Sequence, residues 1–268
     1  MLRDITLGQY MPGHSFIHQL DPRTKILLTI VYIAMIFCVT SPLWYVIPMA
    51  YLLLCVRLSG LQVRQLLKAV KPLRFLLILT FALNLFFSNG TTVWFQWSFI
   101  RLTREGVFTA VHFSMRLIFL VAGTSVLTLT TSPIALCDGI EILLKPLAKL
   151  RFPAHELAMM MTIALRFIPT LIEEADKIMK AQMARGADFE SGNLIKRAKA
   201  MVPLLVPLFV SAFRRAGELA MAMEARCYHG GEGRTRLRVL RFERTDLWAW
   251  LTSLLALGLT LACGMTLS

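Results

Sequence analysis

Acidic side chains are scarce in this sequence: 16 Asp and Glu stand against 29 Lys and Arg, a net charge of +13 over 268 residues. The basic residues alternate with apolar segments and form no aromatic-and-basic face, so nucleic acid is not an expected partner. The cysteines, Cys38, Cys55, Cys137, Cys227 and Cys263, are odd in number and widely scattered, which excludes a disulfide framework or a zinc site. No G-x-x-x-x-G-K-[ST] phosphate loop is present, so the chain is not itself expected to be an ATPase. His155-Glu156 begins like a zinc-protease helix but lacks the second histidine, and His14 and His18 have no further ligand beside them. With no Ser/His/Asp or Cys/His constellation either, neither catalysis nor a bound metal or cofactor is expected. The first twenty-five positions are too polar for a cleavable leader, so the first span is expected to remain in the mature protein.

What the chain has in excess is apolar sequence. Hydrophobic residues make up 56% and the mean hydropathy is +0.62, against roughly 45–50% apolar in a soluble domain. Apolar runs at 26–40, 43–56, 75–87, 106–129 and 246–267 predict an all-α integral membrane protein with about five transmembrane helices. The first two runs fall short of the roughly 20 residues a span prefers and read as mismatched spans joined by a tight turn at Ser41-Pro42, with a broken or re-entrant pair as the alternative. Between them and the third lie Arg57, Arg64, Lys68, Lys71 and Arg74 with no acidic residue, the mark of a cytoplasmic loop. Residues 88–105, with Asn89-Gly90 and the alternation Val93-Trp94-Phe95-Gln96-Trp97, predict a small extracellular hairpin. This arrangement puts the N-terminus in the cytoplasm and the C-terminus outside. Arg116 lies within the fourth span and is either a functional group or a tether between helices.

After Thr131 the pattern changes. Residues 133–150 predict an amphipathic helix with Asp138, Glu141, Lys145 and Lys149 off its apolar side. A long helix follows from Pro153 to about Arg185, capped by Gly186, and another runs from a Ser191 or Asn193 cap to about Arg226. The domain plan is therefore a membrane part over 1–131, a cytoplasmic part over 132–232, and a basic linker with the last span over 233–268. In the second long helix the apolar stretch 200–213 is too short to span and is fenced by Lys196, Arg197, Lys199, Arg214 and Arg215. Such a patch needs a cover. Met201, Leu204, Leu205, Leu208 and Phe209 are its candidate contact residues, with packing against neighbouring helices as the alternative for each.

One pattern occurs twice. Ala181-Gln182-Met183-Ala184-Arg185-Gly186 and Ala222-Met223-Glu224-Ala225-Arg226-Cys227 both read Ala-x-x-Ala-Arg-small, and each closes a long helix. An arginine there can simply answer the carbonyl-end dipole. It can also act as a plug, with small neighbours admitting the helix end to a groove and the guanidinium bonding carboxylates inside. Two copies imply two equivalent sockets.

These features, with Leu20-Asp21-Pro22-Arg23-Thr24-Lys25, Thr130-Thr131-Ser132-Pro133, Ala164-Leu165-Arg166-Phe167-Ile168-Pro169 and Gly231-Glu232-Gly233-Arg234-Thr235-Arg236, resemble the transmembrane T component of energy-coupling factor (ECF) transporters over nearly the whole chain. The resemblance implies four membrane helices, three cytoplasmic coupling helices and a last membrane helix, in a bacterial or archaeal cell membrane. It implies that Ala184-Arg185-Gly186 and Ala225-Arg226-Cys227 each dock into one of two ABC-type ATPase subunits, which bind ATP and Mg. The coupling helices would carry a membrane-embedded substrate-binding S component that topples to release its vitamin or metal ion. Cys227 departs from the small Gly or Ser common there, and the helix end is expected to turn less sharply for it. A secondary transporter or membrane enzyme would want intramembrane carboxylates, and only Glu105 comes near one of the first four spans. A membrane scaffold without transport leaves the paired arginine tips unexplained.

Overall fold

The computed structural model describes residues 10–87, 93–97, 100–146, 153–187, 189, 194–230, 240 and 242–265. Ten α-helices, two short 3-10 helices (Pro42–Tyr45 and Lys71–Leu73) and one small hairpin occur among them: α1 (Phe16–Gln19), α2 (Pro22–Cys38), α3 (Val46–Ser59), α4 (Val63–Val70), α5 (Arg74–Phe87), β1 (Val93–Trp97), β2 (Ile100–Thr103), α6 (Arg104–Thr130), α7 (Pro133–Leu144), α8 (Ala154–Ala184), α9 (Leu194–Glu224) and α10 (Arg244–Met265). They fall into two compact units. One holds the described residues up to 139 together with those from 240 onward, and the other those between 140 and 230.

The first unit is built around α2. Its buried residues Leu28, Tyr32, Met35 and Ile36 repeat at helical spacing, and Tyr32, Met35 and Ile36 cluster with Leu52 and Val56 of α3, Ala122 and Val126 of α6, and Ala256 of α10. Several of the partners are small, which lets backbones approach where lipid removes the hydrophobic drive to associate. Gly123 of α6 takes this furthest, lying against the ring of Tyr32, whose hydroxyl donates to Phe119 O at 3.4 Å. The faces turned away from this core are themselves apolar and exposed, as at Phe75, Ile78, Leu251 and Leu255. That is the inverse of a soluble bundle and the expected surface in lipid.

The Leu20-Asp21-Pro22-Arg23-Thr24-Lys25 segment starts α2 and fastens it to other elements. Pro22 occupies the first turn, where its missing N–H costs nothing, and the Asp21 carboxylate accepts from Arg23 N at 2.9 Å as the cap. The Asp21 amide donates to Asp246 Oδ1 at 3.0 Å, while Asp246 Oδ2 accepts from Glu243 N at 2.9 Å. Arg23 bonds Asp21 and donates to Leu240 O, and Lys25 Nζ donates to Thr130 O at the end of α6. Asp21, Lys25 and Asp246 are all buried, so this clasp holds α2, α6 and α10 together at one end of the unit.

Among the described residues, Pro42–Ser59, Arg104–Thr130, Ala154–Ala184 and Arg244–Gly264 are long and apolar enough to cross a bilayer. The 17-residue α2 and the 14-residue α5 extend only about 25 Å and about 21 Å, so both are short for a hydrocarbon core of about 30 Å. Helix α8 meets the criterion although Arg166 interrupts it and Glu173, Glu174, Asp176 and Lys177 charge its second half. The protein is a multi-pass, all-α membrane protein. The hairpin forms as the alternation predicts, β1 and β2 pairing antiparallel from Trp97↔Ile100 to Val93↔Thr103. Asn89-Gly90 lies outside the described residues.

Arg116 lies in the middle of α6. Its Nη2 donates to His112 Nε2 at 2.9 Å and to Val39 O at 3.4 Å, and its guanidinium lies over the rings of Phe37 and Phe113. Val39 caps α2, so the arginine satisfies a carbonyl that the helix end leaves open. This geometry is that of a tether between α6 and the end of α2.

Candidate docking site

The second unit contains α8 and α9, each 31 residues long. Both end in the same way. After α8, Gly186 N donates to Met183 O at 2.9 Å and Ala187 N to Gln182 O at 3.0 Å. After α9, Cys227 N donates to Glu224 O at 2.8 Å and Tyr228 N to Met223 O at 3.0 Å. These are the paired bonds of a Schellman motif, which reverses the chain through one left-handed residue. That residue is Gly186 (φ 88°) in one and Cys227 (φ 54°) in the other. Arg185 and Arg226 each occupy the last position before the reversal. Ala184, Arg185, Gly186, Ala225, Arg226 and Cys227 are all exposed.

Cys227 therefore turns as its glycine counterpart does, and among the described residues it is the only non-glycine with positive φ. A Cβ in that region meets the following carbonyl at a cost of about 1–2 kcal/mol, partly offset by the smaller entropy cysteine loses on folding. Replacing Cys227→Gly should raise the stability of this helix end by up to about 1 kcal/mol. Slower amide exchange at Cys227 and Tyr228, with transport unchanged, is the expected readout.

The apolar stretch of α9 is presented along two adjacent lines. Met201 (53% exposed), Leu205 (45%), Phe209 (61%) and Phe213 (74%) follow at four-residue spacing, with Val202, Val206 and Val210 beside them. Leu204 and Leu208 are half-buried on the neighbouring face, in the line that continues through Ser211 and Arg215, where Arg215 bonds to Glu174 of α8. The five contact candidates thus differ in exposure: Met201, Leu205 and Phe209 are exposed, whereas Leu204 and Leu208 are half-buried.

Among the described residues, one polar link joins the two long helices. Glu174 Oε2 accepts from Arg215 Nη2 at 2.8 Å and from Nε at 3.2 Å, and its Oε1 accepts from the Ser211 hydroxyl. A second pair, His155 Nδ1 and Glu141 Oε1 at 3.0 Å, joins the start of α8 to α7. Among the described residues no group of three or more His, Cys, Asp or Glu is placed to hold a metal ion. The arrangement offers two exposed cationic plugs and an uncovered apolar strip, which suits binding other proteins.

Residues 13–237 match the CbiQ family, described as a cobalt transport protein. A protein of Clostridium kluyveri named energy-coupling factor transporter transmembrane protein EcfT is 56% identical over 255 residues, covering 95% of this chain and 94% of its own. The protein of the same name from Thermosediminibacter oceani is 55% identical over 258 residues, 96% of this chain and 97% of that one. The Bacillus subtilis protein of that name is 47% identical over 246 residues, 92% and 93% of the two chains. With a family match across most of its length and near-full-length relatives at half identity, this chain belongs to the EcfT family, the non-catalytic transmembrane proteins of energy-coupling factor transporters.

Proposed function

We propose that the chain is the coupling subunit of an ECF-type importer for vitamins or related micronutrients. Two ABC-type ATPases dock on the Arg185 and Arg226 tips, and a membrane-embedded S component rests against the outer line of α9. ATP and Mg are bound by the ATPases, and this chain binds neither. Helices α7, α8 and α9 lie in the cytoplasm with the N-terminus, and α2, α3, α5, α6 and α10 span the membrane. ATP binding and hydrolysis displace the two tips, and the long helices pass that motion to the S component.

The observation that carries this reading is the pair of matched helix ends. Two helices of equal length finish in the same exposed Ala-Arg turn with the same hydrogen bonds, although one must use a cysteine to do so. Neither arginine is needed to fold its own helix. A dimer of equivalent ATPases supplies a socket for each.

The test is purification of the tagged chain from its native membrane in mild detergent, with co-purifying chains identified by mass spectrometry. Two ATPase chains and one or more small hydrophobic proteins are expected. The Leu205→Glu variant, which places a charge on the exposed line, should keep the ATPases and lose at least about tenfold of the small protein. A chain that comes down alone even after cross-linking would end the coupling reading.

A further inference from the structure

The two tips are matched in more than their sequence. Glu174 precedes Arg185 by eleven residues, and Arg215 precedes Arg226 by the same eleven. The residues that bond to each other across α8 and α9 are therefore equivalent positions of the repeat. Counted back from each tip, Glu173-Glu174 falls opposite Arg214-Arg215, Lys177 opposite Glu218, and Thr170 opposite Ser211. Charge is inverted at three of these places, while Asp176 falls opposite Gly217, so α8 complements α9 at this register and a copy of either helix would repel itself there. When two helices touch at equivalent residues, a local two-fold passes through the contact and the arms beyond it are equal. Each arm here is about 16 Å of helix.

Little else sets where these helices meet. Among the described side chains of α8 only Ala154 and Ala158 are buried, both at its far end, and from Met201 to Glu224 of α9 none is. Smooth contacts between half-exposed apolar side chains permit slippage, whereas a carboxylate with both oxygens engaged has one register. A slip of one turn lengthens one arm by about 5.4 Å relative to the other. Two tethered plugs enter two fixed sockets together only if their spacing fits, and simultaneous engagement is lost when it does not.

We propose that the Glu174–Ser211–Arg215 contact is a positioning element that holds the two arginine tips at equal reach, so that both seat at once. The proposal rests on the docking reading above. It assigns these residues no contact with a partner. Their task is to fix the register of α8 on α9.

The test uses the full-length chain in nanodiscs, its native cysteines replaced by serine and spin labels attached at Ala181→Cys and Ala222→Cys, one turn before each tip. A single narrow distance is expected between the labels. Glu174→Arg should broaden or shift it by about 5 Å and lower uptake by the assembled transporter about tenfold. Adding Arg215→Glu restores the opposite charges in reversed order and should recover both the narrow distance and most of the uptake. If Glu174→Arg does not fold, Glu174→Gln, which keeps an acceptor for Ser211, carries the test with a smaller broadening. An unchanged distance in the single variant, no recovery in the exchanged pair, or a broadened distance with full uptake overturns the proposal. Arg185→Glu separates the two readings: it leaves the label distance alone, and if ATPases still bind, the docking reading fails without touching the register result.

Discussion

Replacing Arg185→Ala and Arg226→Ala together is expected to abolish uptake while the chain still inserts and folds. Both residues are exposed at the last position before a chain reversal made by backbone hydrogen bonds. Removing the side chains leaves those bonds in place, and what α8 and α9 lose is the favourable meeting of a cation with the carbonyl end, about 0.3–1 kcal/mol each. In a socket the balance differs. A guanidinium withdrawn from a buried carboxylate leaves that carboxylate unpaired, at about 3–5 kcal/mol per site. Even the lower figure weakens one ATPase contact by more than about a hundredfold. Each single variant should keep one ATPase under mild conditions and transport poorly, because motion delivered to one tip alone rotates the pair instead of translating it. ATPase stoichiometry on the purified complex, read beside uptake in vesicles and a monodisperse elution profile, checks the expectation. Normal uptake by the double variant would show that the tips are ordinary helix ends.

Much of this arrangement was legible in the sequence, because its signals are local. A helix that ends in Ala-Arg-Gly announces a left-handed cap through the glycine, and the second copy announces itself by repetition. The alternation in Val93–Trp97 marks β1 without help from any neighbour. The apolar line Met201, Leu205 and Phe209 follows from spacing alone. Where the reading falls short, the missing information is tertiary. Spacing could not say that Leu204 and Leu208 are half-buried while Met201, Leu205 and Phe209 are exposed, since one serine, Ser211, is the sole polar residue in a stretch of fourteen.

The turn at Cys227 is sharper than its sequence suggests, for a related reason. Propensity disfavours cysteine at positive φ, yet the hydrogen bonds to Glu224 O and Met223 O impose the reversal, and the residue accepts its strain. The ion pair of Glu174 and Arg215 leaves only a faint trace in the sequence. Acidic and basic doublets stand at the same remove from two matching tips, but each doublet taken singly is an ordinary solvated face. The clasp at Asp21 is similar: sequence marks a motif at 20–25, and only the fold reveals that its partner is Asp246, 225 positions away.

The largest effect on the fold itself should come from one added methyl group. Gly123 lies in α6 where it crosses α2, and a Cβ there would stand 2.0 Å from Tyr32 Cε1 and 2.5 Å from Cδ1. The Tyr32 ring has little freedom to yield, being 4% exposed, stacked on Tyr51 with centroids 5.9 Å apart, and bonded through its hydroxyl to Phe119 O. Gly123→Ala must therefore part the two helices or displace the ring, and overpacking of this kind costs about 1–3 kcal/mol or more. In a membrane bundle held by close contact rather than by water, parting the helices forfeits much of what binds them. The expected result is a steep fall in the monodisperse fraction after extraction and a lower melting temperature. Tyr32→Ala distinguishes this clash from a general intolerance of α6. It is destabilising alone, because it empties a buried site, but with the ring gone a methyl at residue 123 meets open space and should add little further loss. The two substitutions are then strongly non-additive, with a coupling of about 1–3 kcal/mol in a double-mutant cycle. Additive losses would mean that the close approach of α2 and α6 at Gly123 does not organise this unit, and the clasp at Asp21 and Asp246 would have to hold the helices without it.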